Sequence, residues 1–133
     1  MLEQQKNRKC KVVLVGESNT GKTCIINQFV QGKFNETTAT IGTPLYHKKI
    51  SCQNEETVKL IIWDTSGQEK YRAINKIYYK DAKIVILVYD ITDRKSFIEI
   101  KEYGVNEIKN LVYSVISSSN DAVCKSFGSK SLY

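Results

Sequence analysis

A chain of 133 residues that is 41% hydrophobic and 26% charged has the size and composition of one globular domain. Its formal net charge is +6, but the basic residues are scattered, with only a loose cluster at Lys6, Arg8, Lys9 and Lys11; this reads as a solvated surface and not as a nucleic-acid-binding face. No apolar run reaches membrane-spanning length, the N-terminus has neither an apolar signal core nor a glycine for myristoylation, and Cys10, Cys24, Cys52 and Cys124 form no CxxC pair, so a soluble cytoplasmic protein with reduced, buried thiols is expected.

The β-branched run Val12-Val13-Leu14-Val15 predicts a strand, and Gly16-Glu17-Ser18-Asn19-Thr20-Gly21-Lys22-Thr23 follows it directly. This is the strand–GxxxxGK[ST]–helix unit that binds polyphosphates. Gly16 and Gly21 free the backbone to turn consecutive N–H groups toward an anion. Lys22 supplies a mobile charge for the β- and γ-phosphates, and Thr23 supplies a hydroxyl for Mg²⁺. A helix over residues 25–30 aims its positive dipole end at the same place, and Gly32 suits its stop. The threonine-rich residues 33–42 read as a mobile loop whose hydroxyls could cap a helix, face water or reach a metal.

Residues 45–52 and 57–63 predict two strands joined by residues 53–56. Pro44 removes an N–H donor at the start of the first, which suggests an edge strand. Asp64 ends the second, apolar strand, the Walker-B placement for a Mg²⁺-binding carboxylate. Gly67 could bring its N–H to a γ-phosphate, and Gln68 could orient a water without ionising. Helically spaced Tyr71, Ile74, Ile77 and Tyr78 form either a partner surface or core. Residues 83–89 read as a buried parallel strand. Asp93 suits the N-cap of a helix over residues 95–111, in which Gly104 costs about 1 kcal/mol relative to alanine. Residues 112–116 could add a strand, and the tail beyond shows no periodicity. The alternation predicts an α/β fold, a mostly parallel sheet with helices on both faces and ligands at the carboxyl ends of its strands.

These ordered motifs resemble the Ras superfamily of small GTPases, and within it the Rab family. Gly16 to Thr23 resembles the P-loop, opened by Gly-Glu-Ser as in Rabs of the early-endosome type. Thr40-Ile41-Gly42 resembles the first switch, and Trp63-Asp64-Thr65-Ser66-Gly67-Gln68-Glu69 the second. Tyr78-Tyr79-Lys80-Asp81-Ala82, Leu87-Val88-Tyr89-Asp90-Ile91-Thr92 and Ser96-Phe97 continue in register. The resemblance implies a P-loop NTPase G domain binding GTP or GDP with Mg²⁺. By it, Ser18, Asn19, Thr20, Gly21, Lys22, Thr23 and Cys24 would cradle the phosphates, and Phe34 would pack on the guanine. Thr23 and Thr40 would ligate Mg²⁺ directly and Asp64 through water. Gly67 would meet the γ-phosphate and Gln68 would orient the attacking water. Ile41, Leu45, Trp63 and Tyr78 would meet effectors. Partners implied are an exchange factor, a GTPase-activating protein and effectors, at the cytoplasmic face of endosomal or vesicle membranes. With no arginine finger evident, hydrolysis should be slow without a partner.

The sequence departs from that pattern in three places. Asn120-Asp121 stands near the guanine motif Asn-Lys-x-Asp but lacks its lysine and second aspartate. Leu45 replaces the phenylalanine of the Rab effector triad, behind Thr43-Pro44. The chain ends Ser-Leu-Tyr, with no prenylation cysteine. The expected organisation is a flexible segment at residues 1–9, a partial, C-terminally truncated G domain at 10–116, and a poorly ordered polar tail at 117–133. Against the GTPase reading stands a partial domain with weak or unselective nucleotide binding that only engages partners. A P-loop kinase or ATPase fits the phosphate motifs but not residues 63–69.

Overall fold

A computed structural model describes residues 8–52, 56–67, 77–106 and 108–109. Gln68, Glu69, Tyr71, Ile74, the expected strand at 112–116, Asn120-Asp121, Cys124 and the tail lie outside the described residues.

The apolar run preceding the glycine loop forms β1 (Arg8–Val15). It begins two residues inside the segment expected to be flexible. Arg8 and Lys9 pair with Val58 and Lys59, because a parallel ladder uses backbone groups and tolerates charged side chains at its end. The loop then enters α1 (Lys22–Gln31), closed by Gly32 at φ 67, whose N–H bonds the Gln28 carbonyl. An antiparallel pair follows, β2 (Leu45–Ser51) and β3 (Thr57–Asp64), and Cys52 N–H donates to Glu56 O at its turn.

β4 (Ile84–Leu87) completes a four-stranded sheet of order β2-β3-β1-β4, in which β1 runs parallel to both β3 and β4. Pro44 accordingly leads into an outer strand. Its carbonyl accepts from Asp64 N–H, so the pairing with β3 extends to Pro44 on the acceptor side, and an outer strand leaves the missing donor position without a second neighbour.

The α1 face of the sheet carries the main core cluster, while Val13, Tyr79 and Ile100 are buried outside it. Val12, Leu14, Leu60 and Ile62 meet Ile26 of α1, with Val88 beside them and Cys10, Tyr46, Ile50 and Val58 at the margin. Ile26 is 1% exposed, so its burial contributes about 2–3 kcal/mol. α1 lies chiefly over β2 and β3. Ile84 and Ile86 of β4 therefore stay exposed, and the expected fully buried strand is only half-buried here.

Asp93 caps α2 (Arg94–Glu99), its carboxylate accepting from Lys95 N–H at 3.0 Å. Buried Ser96 ties the cap to the preceding turn, accepting from Asp90 N–H and donating to Asp93 O. Asp93→Ala is expected to cost about 1 kcal/mol in urea denaturation; an unchanged midpoint would mean that the cap carries nothing. The helix expected to run unbroken widens into a π-helical turn at Ile100–Gly104. Gly104 is buried there, where a Cβ would lie 3.4 Å from Leu87 Cδ2, on the sheet face opposite α1. A close backbone approach, not helix propensity, explains that glycine.

Candidate phosphate and metal site

The site lies at the carboxyl ends of β1 and β3, where side chains from four segments converge. The loop leaving β1 is held open by left-handed residues, Asn19 at φ 63 and Gly21 at φ 89. Glycine takes that conformation freely and asparagine tolerates it, a role for Asn19 that the motif spacing does not reveal. Gly16 is required for another reason. A Cβ there would lie 2.1 Å from the Val88 carbonyl oxygen.

α1 starts at Lys22 with no side-chain cap and no acidic residue in its first turn, so its N–H groups remain available to an anion. Lys22 is 6% exposed, and its ammonium donates to Gly16 O at 3.0 Å and Glu17 O at 2.7 Å. Burial lowers its pKa, while Asp64 and Glu17 pull it back up. Glu17 pairs with Lys95 at 3.0 Å and so links the loop to α2.

Thr23, Thr40 and Asp64, 41 residues apart at the extremes, form one oxygen cluster. Thr23 Oγ1 donates to Asp64 Oδ2 at 2.6 Å and lies 2.9 Å from Thr40 Oγ1. Asp64 is fully buried, and its Oδ1 has no hydrogen-bond partner. Burial pushes the Asp64 carboxyl up, against the Thr23 hydrogen bond and the Lys22 charge. Two hydroxyls and a half-satisfied carboxylate are a hard-oxygen set, the chemistry that Mg²⁺ takes when phosphates complete its shell. The residues therefore fit the ion. Thr23→Val keeps the shape of the side chain and removes the oxygen. It is expected to cut the Mg²⁺-dependent gain in nucleotide affinity about 10–100-fold, measured by titration with and without chelator; an undiminished gain would remove Thr23 from the metal site.

Ser18, Asn19, Gly21, Lys22, Thr23, residues 37–40, Ser66 and Gly67 line a common cleft of about 400 Å³. Gly67 lies against the loop backbone, since a Cβ on it would fall 2.2 Å from Ser18 N. Thr65 fixes that approach, donating to Leu14 O from a buried position. Cys24 Sγ is 3.5 Å from Thr37 Oγ1. Cys10 and Cys24 are half-buried and Cys52 is exposed, so the expectation of buried thiols is corrected at Cys52, which follows the last residue of outer strand β2. Thr20 donates to Glu17 O and does not line the cleft. Phe34 is 76% exposed and does not line the cleft.

Leu45 and Trp63 are cross-strand partners, and the Trp63 and Tyr78 rings lie 5.2 Å apart, so three of the four expected effector residues form one surface. Ile41 is 82% exposed. Lys11 lies over the Trp63 ring at 4.3 Å and donates to Lys80 O, contacts that sequence spacing gave no means to find. Among the described residues no helix is long and apolar enough to cross a membrane.

The Ras family model matches residues 11–122. The chain is 38% identical over 108 residues to a probable Rab-related GTPase of Acanthamoeba polyphaga mimivirus, covering 80% of this chain and 50% of that protein. It is 40% identical over 116 residues to a putative ras-related protein Rab-5B of Dictyostelium discoideum, covering 84% and 53%. With the Ras-related protein SEC4 of Saccharomyces cerevisiae it shares 44% identity over 103 residues, covering 75% and 47%. The chain thus spans about half the length of these curated relatives.

Proposed function

The chain belongs to the Ras family, and from that premise we propose that it is a Rab-type switch, binding GTP and GDP with Mg²⁺ and hydrolysing GTP slowly. The observation that carries the proposal is the convergence of Lys22, Thr23, Thr40, Asp64 and Gly67 around one cleft. Residues 18–24 would hold the phosphates by backbone N–H groups and by the Lys22 charge. Thr23, Thr40 and Asp64 would hold Mg²⁺. When bound, the ion would supply positive charge to neutralise the phosphates.

Thr40 and Gly67 sit on two separate segments, both after the phosphate loop in sequence, that line its cleft. Contacts from both to a γ-phosphate end would order those segments, and loss of that phosphate would release them. Phe34 would then close on the guanine and Gln68 would orient the attacking water. Ile41, Leu45, Trp63 and Tyr78 would present the state to effectors at the cytoplasmic face of endosomal or vesicle membranes, with an exchange factor and a GTPase-activating protein setting the rates.

Single-turnover release of phosphate from GTP tests the enzymatic part. The expected rate is on the order of 10⁻⁴ s⁻¹, with Gln68→Leu slower and binding GTP equally well. Equal rates for the two proteins would remove Gln68 from the reaction. Asn120-Asp121, without the lysine and second aspartate of the family's guanine motif, favours a second reading: a phosphate site that holds nucleotides weakly or without regard to base, on a domain that serves as a partner-binding module.

A further inference from the structure

The sheet face opposite α1 carries a charge pattern that the switch reading does not use. Lys9, Lys59 and Lys49 are register partners on β1, β3 and β2, so three lysines stand side by side in one row across the sheet. They share the face of Trp63, because Lys59 and Trp63 are separated by an even number of positions on β3. The Lys11 ammonium, two residues from Lys9, rests over the Trp63 ring. His47, Ile61 and Lys11 form the row between, and Leu45, Trp63 and Val13 the row beyond.

Lys9 and Lys49 are exposed and Lys59 is half-buried. Among the described residues no carboxylate pairs with any of them; the nearby Arg8–Glu56 pair belongs to residues of the other face. Like charges directly opposite each other weaken a sheet. Lysine at the edge strand alone would serve to discourage aggregation, but that does not account for Lys59 and Lys9 on the two interior strands.

We propose that the Lys9–Lys59–Lys49 row is an interaction surface for an acidic segment of a protein partner that anchors its apolar side chains on Leu45, Trp63 and Tyr78. The row lies about 13 Å along β3 from Trp63. A carboxylate-rich stretch four residues from an extended apolar anchor, or about nine residues along a helix, reaches it. Charge complementarity selects an acidic chain, and continuity with the aromatic patch selects a protein over a bilayer, which would have no use for the apolar end. The inference rests on the Rab-type reading only for the role of that aromatic patch.

The test uses the full chain loaded with a non-hydrolysable GTP analogue and a synthetic peptide carrying a leucine–aromatic anchor followed by glutamates. The same peptide with glutamines and vesicles containing phosphatidylserine serve as comparisons. Backbone resonances of residues 9, 49 and 59 and the Trp63 indole are expected to shift together with the glutamate peptide. Lys49→Glu/Lys59→Glu should weaken that binding at least about tenfold and abolish its salt dependence. Nucleotide affinity should be unchanged. Lys59→Gln should melt no lower than the parent, since it relieves repulsion.

Equal binding of the two peptides, shifts confined elsewhere, capture by vesicles without capture of the peptide, or a lower melting temperature for Lys59→Gln would each overturn the proposal. Loss of nucleotide binding with the lysine response intact would instead overturn the switch reading and leave this surface standing.

Discussion

Lys22→Ala is expected to weaken GTP and GDP binding by about 10²–10³-fold. The Lys22 side chain is almost wholly buried between the loop it donates to and the Asp64 carboxylate. No other described lysine is placed on this cleft. Removing the ammonium takes away the only lysine charge placed on this cleft among the described residues and the donor to the Gly16 carbonyl, while Glu17 O keeps the Thr20 hydroxyl. Lys22→Arg should not restore binding, because a planar fork is not equivalent to a compact point charge in a buried slot. Equilibrium titration with a fluorescent GDP analogue measures the loss. Affinity within about threefold of the parent protein would contradict the site as described.

Gly16→Ala is expected to lower stability by about 3 kcal/mol or more, with a melting temperature lower by on the order of 10 °C. The added methyl would stand 2.1 Å from the Val88 oxygen and 3.1 Å from its carbon. A side chain could turn away, but this neighbour is backbone. Val88 N–H also donates to Val15 O at 2.8 Å, so the segment cannot retreat without losing that bond between the ends of β1 and β4. Thr20 Oγ1, at 3.2 Å from the same methyl, can rotate and matters less. Calorimetry of the nucleotide-free protein separates this loss from any effect on binding, and an unchanged melting temperature would mean that Gly16 does not approach Val88.

Much of this architecture was legible in the sequence where local chemistry dictates it. The glycine loop after an apolar strand, the stop at Gly32, the edge position announced by Pro44 and the Asp93 cap each depend on a residue's own backbone preferences. The features that escaped depend on partners distant in sequence. Arg8 and Lys9 look like a solvated tail, yet β3 extends far enough to pair with them. The continuous apolar run in β4 implies burial on both sides, but α1 does not cover Ile84 and Ile86. Gly104 reads as a weak point in a regular helix until Leu87 is seen beside it. The lysine row is invisible without register, because its members come from three strands.

The candidate site divides along the same line. Motif spacing points to Lys22, Thr23 and Asp64 individually. Thr40, in a loop without periodicity, is reached through the family resemblance and not through spacing; the fold adds its 2.9 Å contact with Thr23 and the Thr65 hydrogen bond beside the close approach of Gly67 to the phosphate loop.

As proposed, this cleft is a Mg²⁺-dependent site for guanine nucleotides. The most direct test is titration of the purified chain with fluorescent GDP, GTP and ATP analogues, each with Mg²⁺ and with chelator. Both guanine nucleotides are expected to bind tightly and to weaken when Mg²⁺ is removed, with much weaker binding of ATP. Equal affinity for guanine and adenine nucleotides, or binding indifferent to Mg²⁺, would contradict the proposal.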